Sequence, residues 1–176
     1  RKKLLKKIPL KQPIVPHRNA TTSDVSGLDP YYKGAYVLHM LRYLIGDIIF
    51  FEILNEFLHA KKELPNNQVT TNDFINLVSK KTGKDLDWFF KTYLYEKDYH
   101  KLIQKTKHGS NHTFIELYWE NEKFSMPVEV YYNSNTGLRH RKLSLTNKPT
   151  MIAIPQHNKI KIDPEKRILL TLNKKE

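Results

Sequence analysis

The stretch Asp29-Pro30-Tyr31-Tyr32-Lys33-Gly34-Ala35-Tyr36-Val37-Leu38-His39-Met40-Leu41-Arg42-Tyr43-Leu44-Ile45-Gly46-Asp47 decides the reading of this chain. From Gly34 onward Val37, Leu38, Leu41, Leu44 and Ile45 recur at helical spacing, and Gly46 is a stop signal. Asp47 can cap a second helix, with Phe50, Phe51, Leu54, Phe57 and Leu58 on a broad apolar face before a break at Leu64-Pro65-Asn66-Asn67. The chain therefore opens its folded part with helices.

Working outward, the pattern stays helical for two more segments. Thr71 is placed to cap a third helix, whose stripe is Phe74, Leu77 and Val78 and whose end is Gly83. Asp85 starts a fourth, with Leu86, Phe89, Phe90, Tyr93 and Leu94 turned inward. Upstream, Pro9, Pro13 and Pro16 break regular structure, and Asn19 to Leu28 is rich in Ser, Thr and Gly, so residues 8–29 read as an extended loop. The basic, Leu-containing start at Arg1-Lys2-Lys3-Leu4-Leu5-Lys6-Lys7 reads as the tail of a helix cut from a longer protein.

Beyond Lys107 the period changes from helical to alternating, with Lys107-His108-Gly109-Ser110-Asn111 as a linker. In Thr113–Trp119, Ile115, Leu117 and Trp119 oppose Phe114, Glu116 and Tyr118. Met126–Tyr132 sets Val128 and Val130 on one face. After the turn residues Asn133-Ser134-Asn135-Thr136-Gly137 comes Leu138–Leu145, where Arg139, Arg141, Leu143 and Leu145 share a side. Thr150–Ile154, Lys159–Ile162 and Arg167–Leu172 complete about six short strands. The expected fold is α+β, an antiparallel helical block followed by a small antiparallel β-sandwich. Residues 1–29 form the loop and helix tail, 30–106 the helical part and 107–176 the sandwich.

Composition narrows the function classes. The net charge is +12, from 30 Lys and Arg against 18 Asp and Glu. The basic residues crowd the two termini or alternate with Glu52, Glu56, Glu63, Asp85 and Asp87, which describes a solvated surface rather than a nucleic-acid face. Tyr131, Tyr132, Arg139, His140 and Arg141 around one β-turn are the best case for a nucleic-acid binder, and the sequence favours no such partner. There is no cysteine, hence no disulfide and no thiolate zinc site. The apolar run at Leu44 and Ile45 is interrupted by Arg42, Gly46 and Asp47, too short for a membrane span.

Two motifs carry chemistry. Tyr31-Tyr32-Lys33-Gly34-Ala35 is a Tyr-x-Lys-Gly-Ala element at a helix start. Thr70-Thr71-Asn72-Asp73-Phe74 is followed by Thr82-Gly83-Lys84-Asp85-Leu86-Asp87-Trp88-Phe89-Phe90-Lys91-Thr92-Tyr93-Leu94-Tyr95. Together these resemble the region after the zinc site in M1-family metallo-aminopeptidases, the gluzincin, aminopeptidase N-like group. The resemblance spans roughly residues 30 to 100, and the strand-rich tail resembles the β-domain that follows the catalytic domain in many members. It implies a catalytic zinc held by a His-Glu-x-x-His pair and a downstream Glu, a peptide substrate, and a Tyr hydroxyl that donates to the tetrahedral oxyanion. The matching position is Tyr31, with Tyr32 at the variable place between it and Lys33.

The zinc half of that motif is missing from this sequence. His108 and His112 have the spacing of a zincin pair, but His-Gly-Ser-Asn-His has no Glu after the first His and disfavours a helix. Zinc is therefore expected on a missing N-terminal catalytic part, with none bound by this chain, which should be inactive alone. Without such a part the same residues describe a binding or structural module that kept a peptidase fold. Gly34 is expected to admit a closely packed neighbour, Lys33 to be structural or at a cleft edge, Asp85, Trp88 and Phe89 to serve as cap and core, and His39 to pack in the core or an interface.

Overall fold

Several helix boundaries trace to particular residues, Pro30, Gly46, Thr70 and Gly83. The computed structural model describes residues 2–9, 11–17, 20–21, 27–60, 69–156 and 158–175. A single helical turn, α1 (Lys2–Leu5), precedes the long helix α2 (Asp29–Ile45). α2 starts five residues before Gly34 because Pro30 falls in its first turn, where a missing N–H costs nothing and the fixed φ is already helical. Gly46 then adopts φ 88° and ψ 161°, a region almost reserved for glycine, and turns the chain into α3 (Asp47–His59). Arg42 Nε donates to Asp47 Oδ1 at 2.9 Å across that joint.

The cap expected at Thr71 is displaced by one residue. Thr70, not Thr71, caps α4 (Thr71–Thr82): its hydroxyl oxygen accepts from Asp73 N at 3.2 Å while the Asp73 carboxylate accepts from Thr70 N at 2.7 Å. Gly83, at φ 61°, closes the helix in the left-handed conformation. Asp85 accepts from Asp87 N at 3.0 Å and leads into α5 (Asp87–Phe90), which continues as one π-helical turn, Lys91–Tyr95. The expected break at Leu64-Pro65-Asn66-Asn67 and the Thr22–Ser26 part of the expected loop lie outside the described residues.

The chain carries seven strands among the described residues. β1 (Lys101–His108) occupies the ground assigned above to the end of the helical part and to a linker. Its inward residues include Gln104 and Thr106 and its outward ones Lys105 and Lys107, so polarity does not alternate and the strand is not visible as a pattern. Gly109-Ser110-Asn111 is the turn of a hairpin to β2 (His112–Trp119). β3 (Val128–Ser134), β4 (Gly137–Leu143), β5 (Thr150–Pro155), β6 (Ile160–Ile162) and β7 (Thr171–Lys175) follow. They form a four-stranded sheet of order β5-β2-β1-β7 and a three-stranded sheet of order β4-β3-β6.

The pairings are antiparallel except one. β7 runs parallel to β1, with Leu102 opposite Leu172, so the sandwich is mostly rather than wholly antiparallel. The expected last strand, Arg167–Leu172, begins only at Thr171 because the backbone upstream is committed elsewhere. Arg167 N and Ile168 N donate to the two oxygens of Asp163 at 2.8 and 3.1 Å, and Ile168 and Leu169 are buried as loop residues. Ile115, Leu117 and Trp119 fill the core with Val128 and Val130, as their alternation predicts. Of the four residues grouped on β4 and its extension, only Leu143 and Leu145 reach the core, while Arg139 and Arg141 are exposed.

Helices and sheets share one apolar cluster, with Tyr36, Met40, Phe89 and Tyr93 meeting Leu102, Trp119 and Ile154. Phe124, in the β2–β3 connection, is its knot: Trp88, Trp119 and His100 stand edge-on to it at centroid distances of 4.9, 4.6 and 4.5 Å. The Tyr36 hydroxyl donates to the Lys166 carbonyl and the Tyr93 hydroxyl to the Leu169 carbonyl, the latter at 3.0 Å. The loop between β6 and β7 is thereby tied to α2 and to the π turn. Replacing Tyr93 by Phe leaves the Leu169 carbonyl without its donor and should lower stability by about 1–2 kcal/mol. Urea unfolding reads this directly, and an unmoved midpoint would show that the bond contributes nothing to the joint.

His100 adds a pH dependence to the same joint. Its Nε2 lies 2.8 Å from Thr92 Oγ1, and burial pulls its pKa below the ordinary 6.5, against the opposing pull of Glu96 and Glu120. In the unfolded chain the ring takes up its proton first as pH falls, so stability drops between pH 6.5 and the depressed native value. Thermal unfolding across that window should show this slope in the native chain and a flatter one in His100→Asn.

Candidate active site

The first turn of α2 seals two charges in the protein interior. Asp29 is 1% exposed and Lys33 0%. An unpaired charge in such a place would cost several kcal/mol, so each must be bonded. Asp29 Oδ2 accepts from Lys11 N at 2.8 Å and from Gln12 N at 3.2 Å, holding the N-terminal loop against the helix. Lys33 Nζ donates to the Glu96 carbonyl at 2.7 Å and more weakly to that of Lys97 at 3.4 Å, holding the segment just after the π turn. Desolvation lowers the Lys33 pKa from its ordinary value, while Asp29, Asp98 and Glu96 pull it back up. Lys33 is thus interior and structural, not at a cleft edge.

Tyr31 lies between these two residues in sequence and away from them in space. It is 74% exposed, and among the described residues its hydroxyl has no hydrogen-bond partner. A tyrosine kept for packing would bury its ring and bond its hydroxyl to a carbonyl, as Tyr36 and Tyr93 do. Its neighbour Tyr32 is half-buried with Lys7 Nζ 5.4 Å above the ring. Tyr31 stands at the rim of a cleft of about 650 Å³ lined mainly by apolar groups, among them Ile14, Leu38, Phe57, Phe74 and Leu94. Gly34 also lines it, and a Cβ built there would meet nothing within 4 Å. The close neighbour expected at Gly34 is absent among the described residues.

The second motif supports the site from behind. Phe89 and Phe90 are buried, Trp88 is half-buried against Phe124, and Asp85 stays exposed at the start of its turn. Asp85 is therefore a turn-former and not part of the core. Phe90 reaches from this block to Phe74 of α4, edge-on at 6.4 Å, and both line the cleft. His39 packs edge-on to Tyr36 at 6.0 Å.

No group of three or more His, Cys, Asp or Glu side chains placed to hold a metal occurs among the described residues. His108 and His112 flank a β-hairpin turn, where His108 Nδ1 is 3.2 Å from Thr113 Oγ1, so their spacing is not that of a helical pair. Around the basic turn, Arg139 bonds Ser134 and Thr136, while His140 and Arg167 approach Glu129 at 3.4 and 3.1 Å. No helix of the described residues is long and apolar enough to cross a membrane. Sequence reading singled out Tyr31 but missed Asp29 as a buried anchor. The signal was a charge four residues from Lys33, on the same face of an otherwise apolar helix.

No curated protein matches the chain in sequence. Among solved structures, aminopeptidase A of Legionella pneumophila, crystallised in complex with aspartic acid, superimposes with a TM-score of 0.72 over 98% of this chain at 16% identity. At that identity the likeness is one of fold. The chain spans 21% of the length of that aminopeptidase chain. The family described as "Peptidase family M1 domain" matches residues 3–93, just over half of the sequence, and takes in α2 to α5, Tyr31 and the cleft lining apart from Leu94. By that match the chain belongs to peptidase family M1.

Proposed function

We propose that this chain is the C-terminal part of a zinc-dependent aminopeptidase, which removes N-terminal residues from peptides, and that Tyr31 is its contribution to the chemistry. The observation that carries the proposal is the placement of Tyr31. It is an exposed tyrosine with an unbonded hydroxyl at the rim of an apolar cleft, inside the region that matches the family. The apolar walls suit the side chains of a peptide, and the hydroxyl is free to face a backbone carbonyl. When a scissile carbonyl becomes tetrahedral its oxygen gains negative charge, and a fixed O–H donor stabilises that state more than the ground state.

The described residues offer no group that fits a zinc site, so on this reading the metal would be held by another part of the protein, and no step through it is assigned to this chain. The mostly apolar cleft also favours a peptide over a nucleic acid, which would call for basic and stacking side chains along its floor.

The test is hydrolysis of aminoacyl-anilide substrates by the full-length protein, with native Tyr31 against Tyr31→Phe and with or without a zinc chelator. Loss of one oxyanion donor should lower kcat by about 10²–10³-fold while the substrate still binds, and the chelator should abolish activity. A folded, metal-loaded protein with no activity would point instead to a binding module that retains the peptidase fold.

A further inference from the structure

Helix starts are loosely held by their own backbone, because the first four N–H groups have no intrahelical acceptor. α2 has no side-chain cap either, since Leu28 occupies that position. Order in its first turn has to come from elsewhere. Tyr31 supplies none, being exposed and without a hydrogen bond of its own among the described residues. Asp29 and Lys33 supply it from the other side of the helix.

The geometry is that of a two-point clamp. Residues four apart share a helix face, and a residue two from each lies close to 180° away, at about 100° per residue. Asp29 and Lys33 therefore point into the protein on the side opposite Tyr31. Asp29 grips Lys11 N and Gln12 N of the N-terminal loop, and Lys33 grips the Glu96 and Lys97 carbonyls beyond the π turn. The two anchors come from opposite directions along the chain, 17 or 18 residues before Asp29 and 63 or 64 after Lys33. Rotation or sliding of the first turn would break both sets of partly buried bonds, at a cost for each buried donor or acceptor left unpaired.

We infer that Asp29 and Lys33 are positioning residues for Tyr31, fixing the helix turn that carries it so that its hydroxyl keeps one place at the cleft rim. The inference rests on the reading of Tyr31 as the oxyanion donor. A donor displaced by about 1 Å loses much of its advantage in the transition state, on the order of 10²-fold in rate. Burying two charges for this purpose costs solvation, but it fixes a side chain that must itself stay free to meet the substrate.

A double-mutant cycle in the full-length protein separates positioning from general structural support. Lys33→Met, Tyr31→Phe and the double variant are compared for kcat and KM on an aminoacyl anilide. With Tyr31 present, Lys33→Met should lower kcat by about 10- to 100-fold and change KM by less than about twofold. In the Tyr31→Phe background it should lower kcat by less than about threefold, since a missing hydroxyl cannot be misplaced. Equal fractional losses in the two backgrounds, or none in either, overturn the inference. An unaltered kcat in Tyr31→Phe alone overturns the donor reading and the inference with it. Should Lys33→Met fail to fold, Asp29→Asn carries the same comparison, with a smaller expected loss of about threefold or more that again vanishes without the Tyr31 hydroxyl.

Discussion

A phenol hydroxyl buried away from water costs free energy unless it finds an acceptor, and in this chain two of them find theirs in a single loop. Tyr36 of α2 and Tyr93 of the π turn both donate to carbonyls of the β6–β7 connection, at Lys166 and Leu169. For those carbonyls to lie in reach, the connection must not become a strand too early. Asp163 prevents that by accepting from Arg167 N and Ile168 N, and Asp163 and Lys166 themselves take positive φ values of 44° and 53°. The burial of Asp163 raises its pKa, opposed by the two backbone N–H groups that donate to its carboxyl oxygens. One tight turn thus decides where β7 starts, how the sandwich closes, and how the helices sit against it.

That arrangement also ties the sheets to the part of the helical block next to Tyr31. The π turn inserts one residue into the helical path after α5, and Thr92 and Tyr93 are both buried there, one meeting His100 and the other Leu169. The next residues, Glu96 and Lys97, present the carbonyls that Lys33 grips. A chain of contacts therefore runs from the β6–β7 loop through Tyr93 and the π turn to Lys33 and the helix turn that bears Tyr31. The sandwich acts as a brace for that turn, which gives it a place in the same folding unit as the cleft.

Much of this was legible in the sequence, and what was hidden was hidden for identifiable reasons. The apolar stripes of α2 to α5 and the alternation of Ile115, Leu117 and Trp119 follow from burial on one face, which is a one-dimensional pattern. Gly83 announces its role because few other residues tolerate its conformation. β1 stayed hidden because its inward face includes Gln104 and Thr106, and the start of β7 because a side chain of residue 163 claims the backbone of residues 167 and 168. Tyr31 could be singled out from its motif, yet the burial of Lys33 could not, since its carbonyl partners lie 63 and 64 residues away. Local rules find elements, and long-range hydrogen bonds decide what those elements hold.

Charge is the remaining property that invites a functional reading, and on one sheet much of it is engaged within the chain. A groove for a phosphate backbone needs cations whose donors are free and aligned. On the three-stranded sheet Arg139, His140 and Lys142 are already engaged, while Arg141 is exposed with no side-chain partner among the described residues. Arg139 is turned onto its own hairpin, and His140 lies tilted against Tyr131 at a centroid distance of 4.5 Å while it approaches Glu129. Lys142 sits 4.0 Å from the centre of the Tyr43 ring and donates to the Tyr43 carbonyl at 3.2 Å, with Arg167 also 5.4 Å from that ring. These residues fasten the sheet to α2, the helix that carries Tyr31. Positive charge at Lys142 and Arg167 therefore serves to hold the sheet and its following loop against this helix.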